Sequence, residues 1–243
     1  MLEGLYSAAA GMAAQQEQLN AISNDIANVS TSGYKAERVA FDDLLYNPVK
    51  IAGSDSSAGS GASARVIGRS EAEGSIQETG DALDLAIEGD GYFQVKRANG
   101  QTALTRDGAF GVDATGAIVN GEGNRLVPPI KVPKGFPTQD LSVTSDGTVE
   151  AGTRKLGRIE LVTVTSPEHL IADGGGEFSA TAASGAPHAA KGKIRQGALE
   201  ASNVNVSSEM AQMVSTQRNY QLMSTAIQTE SQMMSIANQL RPQ

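Results

Sequence analysis

The chain has 243 residues, no cysteine, no tryptophan and a formal net charge of −8 at pH 7. The missing cysteines exclude disulfide scaffolds, thiolate zinc sites and cysteine nucleophiles, and the acidic balance argues against a nucleic-acid partner, which would need a basic surface. Two histidines and 4% aromatic residues argue against a histidine-rich metal site and against one large aromatic core, so small cores or an elongated shape are expected.

The first segment of the chain predicts a long amphipathic helix over residues 5–29, about 37 Å long at 1.5 Å per residue. Gly33 would end this helix as a left-handed residue. Two columns with a spacing of seven define its apolar stripe: Leu5, Met12, Leu19 and Ile26, and, three residues later in each heptad, Ala8, Gln15, Ile22 and Val29.

The first basic residue of the chain is Lys35. A secretory signal peptide needs a positively charged start followed by an apolar core, and the small and polar residues of the first helix interrupt any such core. On this feature alone we expect a cytoplasmic protein, with export by a route that uses no cleaved signal as the alternative.

Residues 34–79 are predicted to form a linker or extended segment. Within it, residues 53–64 (GSDSSAGSGASA) are rich in glycine and serine and lack large apolar residues, which is typical of a mobile loop.

The hydrophobic period changes at about residue 80, and residues 80–180 predict a central β-domain. Asn-Gly and Asp-Gly pairs such as Asn99-Gly100 and Asp107-Gly108 favour tight turns. Because these turns recur every 8–12 residues, they indicate an all-β module of short strands. The expected strands are Tyr92–Lys96, Thr102–Arg106, Ala109–Val112, Ala117–Val119, Leu141–Thr144 and Ile159–Val164.

Residues 181–197 are expected to be a return linker, and residues 198–243 carry a second long helix, with Ser207 or Ser208 as its possible cap. Its surface contains few charges, which suits contact with further protein better than contact with water. Its two heptad columns are Val206, Met213, Tyr220, Ile227 and Met234, and Glu209, Thr216, Met223, Glu230 and Ala237; a wider apolar face adds Met210, Val214, Leu222, Ala226, Met233 and Leu240.

These elements predict an α+β fold with a discontinuous layout. Residues 1–33 and 198–243 would form a coiled-coil-like helical layer, and residues 80–180 between them a central all-β domain of short strands. The two helices could pair as a hairpin within one chain, or they could form an intermolecular layer with copies of the same chain. The intermolecular interpretation assigns an assembly interface to Leu5, Met12, Leu19, Ile22, Ile26, Val29, Val206, Met213, Tyr220, Ile227 and Met234.

The sequence does not carry the usual motifs of catalysis or cofactor binding. Gly185–Lys193 resembles a phosphate loop but has Pro187 at a required glycine position, and Gly89-Asp90-Gly91 suits a hairpin turn better than a dinucleotide fingerprint. His169 and His188 are interpreted as surface loop residues, and the acidic residues Asp81, Asp84, Glu88 and Asp90 as a solvated face in preference to a calcium site. We therefore predict no catalytic residue, no metal site, no cofactor and no small-molecule substrate.

Three ordered motifs resemble the bacterial flagellar rod and hook protein family. The first is MLEGLYSAAAGM at residues 1–12 with ISNDIANVSTSGYK at 22–35, where Ser30 replaces the asparagine usual in the family. The second is DLAIEGDGYF at 84–93 with TRDGAF at 105–110, and the third is GALEASNVN at 197–205 with QRNY at 217–220. The positions that match the family motif are Asn28, Thr31, Gly33, Tyr34, Lys35, Ser202, Asn203, Asn205, Gln217 and Arg218.

The resemblance implies a structural subunit that stacks helically into a hollow shaft and transmits motor torque to the hook. It also implies export through the flagellar type III apparatus without a cleaved signal, location in the basal-body rod, and partners among copies of the chain and other axial proteins. The chain is most similar to the distal-rod type; a proximal-rod or hook-type axial subunit is the alternative. A secreted β-domain binding protein, an enzyme and a soluble coiled-coil oligomer remain competing interpretations.

Overall fold

The computed structural model describes residues 2–44, 46–51 and 54–239. Two helices lie near the ends of the chain, α1 (Leu2–Ala27) and α2 (Val206–Gln239). Twenty short strands lie between them: β1 (Glu37–Asp43), β2 (Tyr46–Ile51), β3 (Ser54–Gly59), β4 (Ala62–Arg69), β5 (Ile76–Glu78), β6 (Leu85–Glu88), β7 (Tyr92–Lys96), β8 (Thr102–Thr105), β9 (Phe110–Val112), β10 (Ile118–Asn120), β11 (Arg125–Val127), β12 (Leu141–Val143), β13 (Thr148–Ala151), β14 (Arg154–Arg158), β15 (Leu161–Thr163), β16 (Ile171–Gly174), β17 (Glu177–Ser179), β18 (His188–Ala189), β19 (Lys193–Gln196) and β20 (Ala198–Glu200). This arrangement confirms the predicted α+β class.

The contacts divide the chain into two compact units. The helical unit contains Met1–Ile26, Glu37–Ile67 and Asn205–Gln243, and the β unit contains Ala27–Ala36 and Gly68–Val204. Neither helix, as far as it is described, has an apolar run long enough to cross a membrane.

Four strands accompany the helices in the helical unit. Strand β1 pairs with β4, and β2 pairs with β3 over their full lengths, from Tyr46 opposite Gly59 to Ile51 opposite Ser54. Residues 54–59 are thus a strand, although their composition predicts a mobile loop. Pairing explains the difference, because a ladder of backbone hydrogen bonds needs no apolar side chains. Residue 53 of the predicted loop lies outside the described residues.

The two helix boundaries differ slightly from those expected. Helix α1 ends at Ala27, so Gly33 lies six residues beyond it, although its φ of +67° is indeed left-handed. Helix α2 begins at Val206, and Asn205 caps it by accepting a hydrogen bond from the Ser208 N–H at 3.1 Å. The predicted caps Ser207 and Ser208 are wrong, because the asparagine that precedes the helix meets the free amide of its third residue.

The β unit is built around a nine-stranded antiparallel sheet. Its main path is β16-β17-β8-β7-β11-β10-β9, and β15 joins it by pairing with both β7 and β18. A three-stranded sheet β12-β13-β14 and the pairs β6–β19 and β5–β20 complete the unit. Each of the six predicted strands is present within two residues of its expected limits, because the glycine turns that separate them are local signals.

The apolar residues of the β unit form two clusters. The larger cluster surrounds Phe93, Val95 and Val149, which are fully buried, and the smaller one contains Tyr92 and Phe178 in edge-to-face contact at 6.1 Å. A composition poor in aromatic residues therefore still provides two cores, each with one edge-to-face aromatic pair, Phe93 with Phe110 and Tyr92 with Phe178.

Candidate assembly interface

Helices α1 and α2 pair in an antiparallel arrangement inside the helical unit. A methyl group placed on Gly4 would lie 3.1 Å from Glu230 Oε2, and one placed on Gly11 would lie 2.9 Å from Met223 Sδ. Asp25 acts electrostatically on Glu209. The contacts advance by seven residues along α1 while they retreat by seven along α2, so the pairing follows the heptad period.

The buried stripe of α1 consists of small and polar residues and one large apolar residue, Ile22. Ile22 is the one member of the predicted α1 seam that is fully buried, whereas Leu5, Met12, Leu19, Ile26 and Val29 are half-buried. The other large apolar side chains lie along the flank of this stripe. The buried positions are Gly11, Ala14, Gln18, Ala21, Ile22 and Asp25.

On α2 the two predicted heptad columns supply most of the least exposed positions. Thr216 is 4% exposed, and Tyr220, at 36%, is the most exposed member of the apolar column. The remaining seam residues Val206, Met213, Ile227 and Met234 are half-buried. All the predicted seam residues of α2 therefore keep only part of their surface in solvent, and Tyr220 keeps the largest fraction.

A second apolar stripe of α2 faces solvent. Leu222 is 69% exposed, and at 100° per residue it lies about 180° around the helix from Met213. The sequence groups such residues with the two columns as one wider apolar face; the structure leaves them exposed, spread around the helix from Met210, about 60° from Met213, to Leu222 on the opposite side. The exposed members are Met210, Val214, Leu222, Met233 and Ile236; Leu240, which the sequence also suggested, lies outside the described residues.

The helix pair carries an acidic contact near the start of α2. Burial and the nearby Asp25 carboxylate raise the pKa of Glu209 above its ordinary 4.5, while the Asp25 carboxylate accepts the Glu37 N–H at 3.0 Å. A cavity of about 230 Å³ adjoins both acids and is also lined by Ile22 and Arg38.

We expect acidification to strengthen the helix pair. A carboxyl whose pKa is raised on folding binds its proton more readily in the folded state, so stability increases as the pH falls toward 4.5. Glu209→Gln should remove this gain. Thermal unfolding followed at 222 nm between pH 7 and pH 5 measures the effect, and an unchanged pH dependence in the variant would contradict the assignment.

Several residues of the family motif meet at a buried polar cluster in the β unit. The Lys35 ammonium donates to Glu200 Oε1 at 2.6 Å and to the Ala72 carbonyl at 2.8 Å. Arg106 donates to Glu200 Oε2 at 3.1 Å, and its guanidinium carbon lies over the Tyr92 ring, 5.3 Å from the ring centre. Burial lowers the pKa of Lys35, and the bond to Glu200 opposes that shift.

The side-chain amide of Asn203 lies beside this cluster. Its oxygen accepts the Ala36 N–H at 2.8 Å, and its nitrogen donates to the carbonyls of Ser70 and Ala72 at 3.2 and 2.8 Å. We call Lys35, Arg106, Glu200 and Asn203 the buried joint. Both Arg106 and Glu200 escaped the sequence-based selection, although each lies inside a motif that resembles the family.

The other motif residues have local roles. The Gly33 N–H donates to the Glu200 carbonyl at 2.8 Å, Thr31 donates to Asn28 Oδ1 at 3.3 Å, and Ser202 Oγ accepts the Val204 N–H at 3.3 Å. Gln217 and Arg218 are exposed on α2 and do not join the buried joint.

The histidines and acidic residues considered for catalysis or metal binding are scattered. His169 is exposed beside Glu168, with 3.5 Å between the imidazole and the carboxylate. His188 lines a cavity of about 470 Å³ that neither His169 nor Asp84 borders. Glu88 pairs with Arg195 at 3.7 Å. Within the described ranges, acidic and histidine side chains form no group of three suited to a metal ion.

Three family models match the chain in order. They are described as flagella basal body rod protein (residues 5–35), flagellar hook protein FlgE/F/G D1 domain (86–151) and flagellar basal body rod FlgEFG protein C-terminal (195–240). The Borreliella burgdorferi flagellar basal-body rod protein FlgG is 34% identical over the whole of both chains. The FlgG protein of Caulobacter vibrioides is 36% identical, covering 99% of this chain and 100% of its own. A Mesorhizobium japonicum FlgF protein is 30% identical over 91% of this chain and 90% of its own.

Proposed function

We propose that the terminal helices of this chain, which belongs to the flagellar basal-body rod and hook protein family, assemble head to tail with copies of the same chain. The chain is a structural subunit of the rod, and this assembly would form the hollow drive shaft. The full-length similarity to proteins named FlgG supports the distal-rod type in preference to a proximal-rod or hook-type subunit, since the FlgF protein is both less similar and less completely covered.

The observation that carries this proposal is the second apolar stripe of α2. One side of α2 faces α1, while Met210, Val214, Leu222, Met233 and Ile236 remain between 48% and 69% exposed. Monomeric proteins rarely leave such rows of large apolar side chains uncovered. A helical assembly needs a contact that does not close on itself, and a helix with apolar residues on two sides supplies one side for the subunit and one for a neighbour.

The half-buried seam residues extend the proposed contact. Leu5, Met12, Leu19 and Ile26 flank the helix pair, where a neighbouring subunit would cover their remaining apolar surface. Torque would then be carried by many identical contacts along the shaft. Other axial proteins of the rod and hook would meet the same surfaces at the two ends of the assembly.

Export through the flagellar type III apparatus, without a cleaved signal, belongs to the same proposal. It is supported by membership of the family. A structural role likewise accounts for the scattered histidines and acids, and we propose that the protein is not an enzyme and has no nucleic-acid partner.

Electron microscopy of basal bodies tests the proposed role directly. We expect a strain that lacks this chain to form basal bodies whose rod stops short and carries no hook, and re-expression of the chain to restore the full shaft. Complete rods and hooks in the deletion strain would contradict the assignment. Short rods that still bear a hook would instead favour a role elsewhere in the axial structure.

A further inference from the structure

Besides Arg106, the buried joint connects three segments that are distant in sequence. Lys35 and Glu200 are separated by 165 positions, and the Glu200 carboxylate also accepts the Gly74 N–H at 2.9 Å. The Asn203 amide uses its oxygen and its nitrogen to bind residues 36, 70 and 72. Each of these segments of the β unit is continuous in sequence with a segment of the helical unit.

Two consecutive backbone amides link the joint to the start of β1. The Ala36 N–H donates to Asn203 Oδ1 inside the β unit, and the next amide, that of Glu37, donates to Asp25 in the last turns of α1. Asn203 itself lies only two residues before Asn205, which caps α2. Through these bonds, the chain path from the end of α1 to the start of α2 becomes very short.

We infer that Glu200 and Asn203 are positioning residues for the helix pair. They hold together the segments that lead into α1, β4 and α2. The chain path that connects α1 with α2 therefore stays short, and this short tether favours their antiparallel pairing. A short tether raises the effective concentration of one helix for the other without adding any contact between them. Only the relevance to rod assembly rests on the proposed function; the effect on helix pairing does not.

The charge of the joint makes Glu200 its central member. Lys35 and Arg106 contribute two positive charges, and the side chains of Lys35, Arg106 and Glu200 are 4%, 5% and 1% exposed. Glu200→Gln removes the carboxylate that both cations contact, so we expect the buried cations to weaken the contact between residues 33–36 and residues 200–203. Replacing Lys35 by methionine removes one of those cations, and the Ala72 carbonyl keeps its bond from Asn203.

Helix pairing can be measured by intrachain disulfide formation, because the chain contains no cysteine of its own. Gly11→Cys with Met223→Cys places the thiols at a contact of the pair. Gly11→Cys with Leu222→Cys is the geometric control, since Leu222 faces away from α1. Dilute full-length protein is oxidised mildly, and the rate of the monomeric disulfide is followed on non-reducing gels.

We expect Glu200→Gln to slow disulfide formation between positions 11 and 223 by about threefold. This is the loss of effective concentration that follows when the length of a flexible tether doubles. Glu177→Gln is the matched control. Glu177 is also a buried glutamate of the β unit, held by Arg97, Asn120 and Asn124, but it lies away from the joint. It should lower the melting temperature of the β unit and leave the disulfide rate unchanged.

The double variant Lys35→Met/Glu200→Gln should recover most of the lost rate. Asn203→Asp should also slow disulfide formation, because it keeps the acceptor for the Ala36 N–H but loses the donor to the Ser70 and Ala72 carbonyls. This variant tests the inference if Glu200→Gln prevents folding. Equal slowing by Glu177→Gln and Glu200→Gln, or unchanged rates in both joint variants, would overturn the inference. Because dilute monomer is used, failure of the proposed rod function would leave these rates as they are.

Discussion

Leu222→Asp should abolish rod assembly and leave the isolated subunit folded. Leu222 is 69% exposed on the far side of α2, so a charge there costs the monomer little, within about 0.5 kcal/mol. In an assembled shaft the same carboxylate would be buried against a neighbour without a partner, which costs several kcal/mol. Since every subunit of a helical assembly repeats the contact, the penalty recurs along the whole rod.

Motility in soft agar and electron microscopy of basal bodies would measure the loss, and far-ultraviolet circular dichroism would verify that the soluble variant keeps its helices. Leu222→Met is the control, because it keeps an apolar side chain of similar size at the same position and adds no charge. It should assemble normally. Motile cells with complete rods containing Leu222→Asp would show that this stripe does not contact a neighbour.

Gly33→Ala should destabilise the β unit more than most single substitutions. Gly33 has a φ of +67°, and a methyl group there would lie 2.5 Å from the Arg106 carbonyl carbon and 2.6 Å from the Asp107 nitrogen. Both are backbone atoms, which cannot rotate away. Left-handed strain of about 1–2 kcal/mol and overpacking of about 1–3 kcal/mol together predict a loss of about 2–5 kcal/mol.

Thermal unfolding of the variant should show a melting temperature lower by about 10 °C, from the usual shift of about 2–4 °C per kcal/mol in a unit of this size. Gly100→Ala separates the two causes. Gly100 has a φ of +85° but open space around it, so this variant carries the strain without the clash. Equal losses in the two variants would mean that Gly33 is required only for its backbone angle.

The features that could be predicted from sequence are those with local causes. The heptad columns at both ends predicted two long helices, because an apolar repeat of seven is visible in any single helix. Strand β7 was expected at its observed limits, since Gly91 before it and Asn99-Gly100 after it mark turns. The class and the family followed from the same local patterns and motifs.

The features that escaped prediction depend on distant partners. The buried stripe of α1 runs through Gly11 and Ala14 and leaves Met12 half-buried. Which face of a helix becomes buried depends on the elements that pack against it. Strand β3 forms from a glycine- and serine-rich segment because β2 is beside it. In the buried joint, Glu200 and Lys35 meet although 165 positions separate them. No local sequence pattern near either residue predicts this contact.

The antiparallel helix pair also imposes an order on synthesis. Helix α1 ends at Ala27 and its partner begins at Val206, so α1 is made first and must wait for residues 28–205, 178 in number, before its partner appears. Contacts of such long sequence separation form slowly. The subunit therefore gains a paired helical surface only when its final segment is present, and an incomplete chain carries one half of that surface without the other.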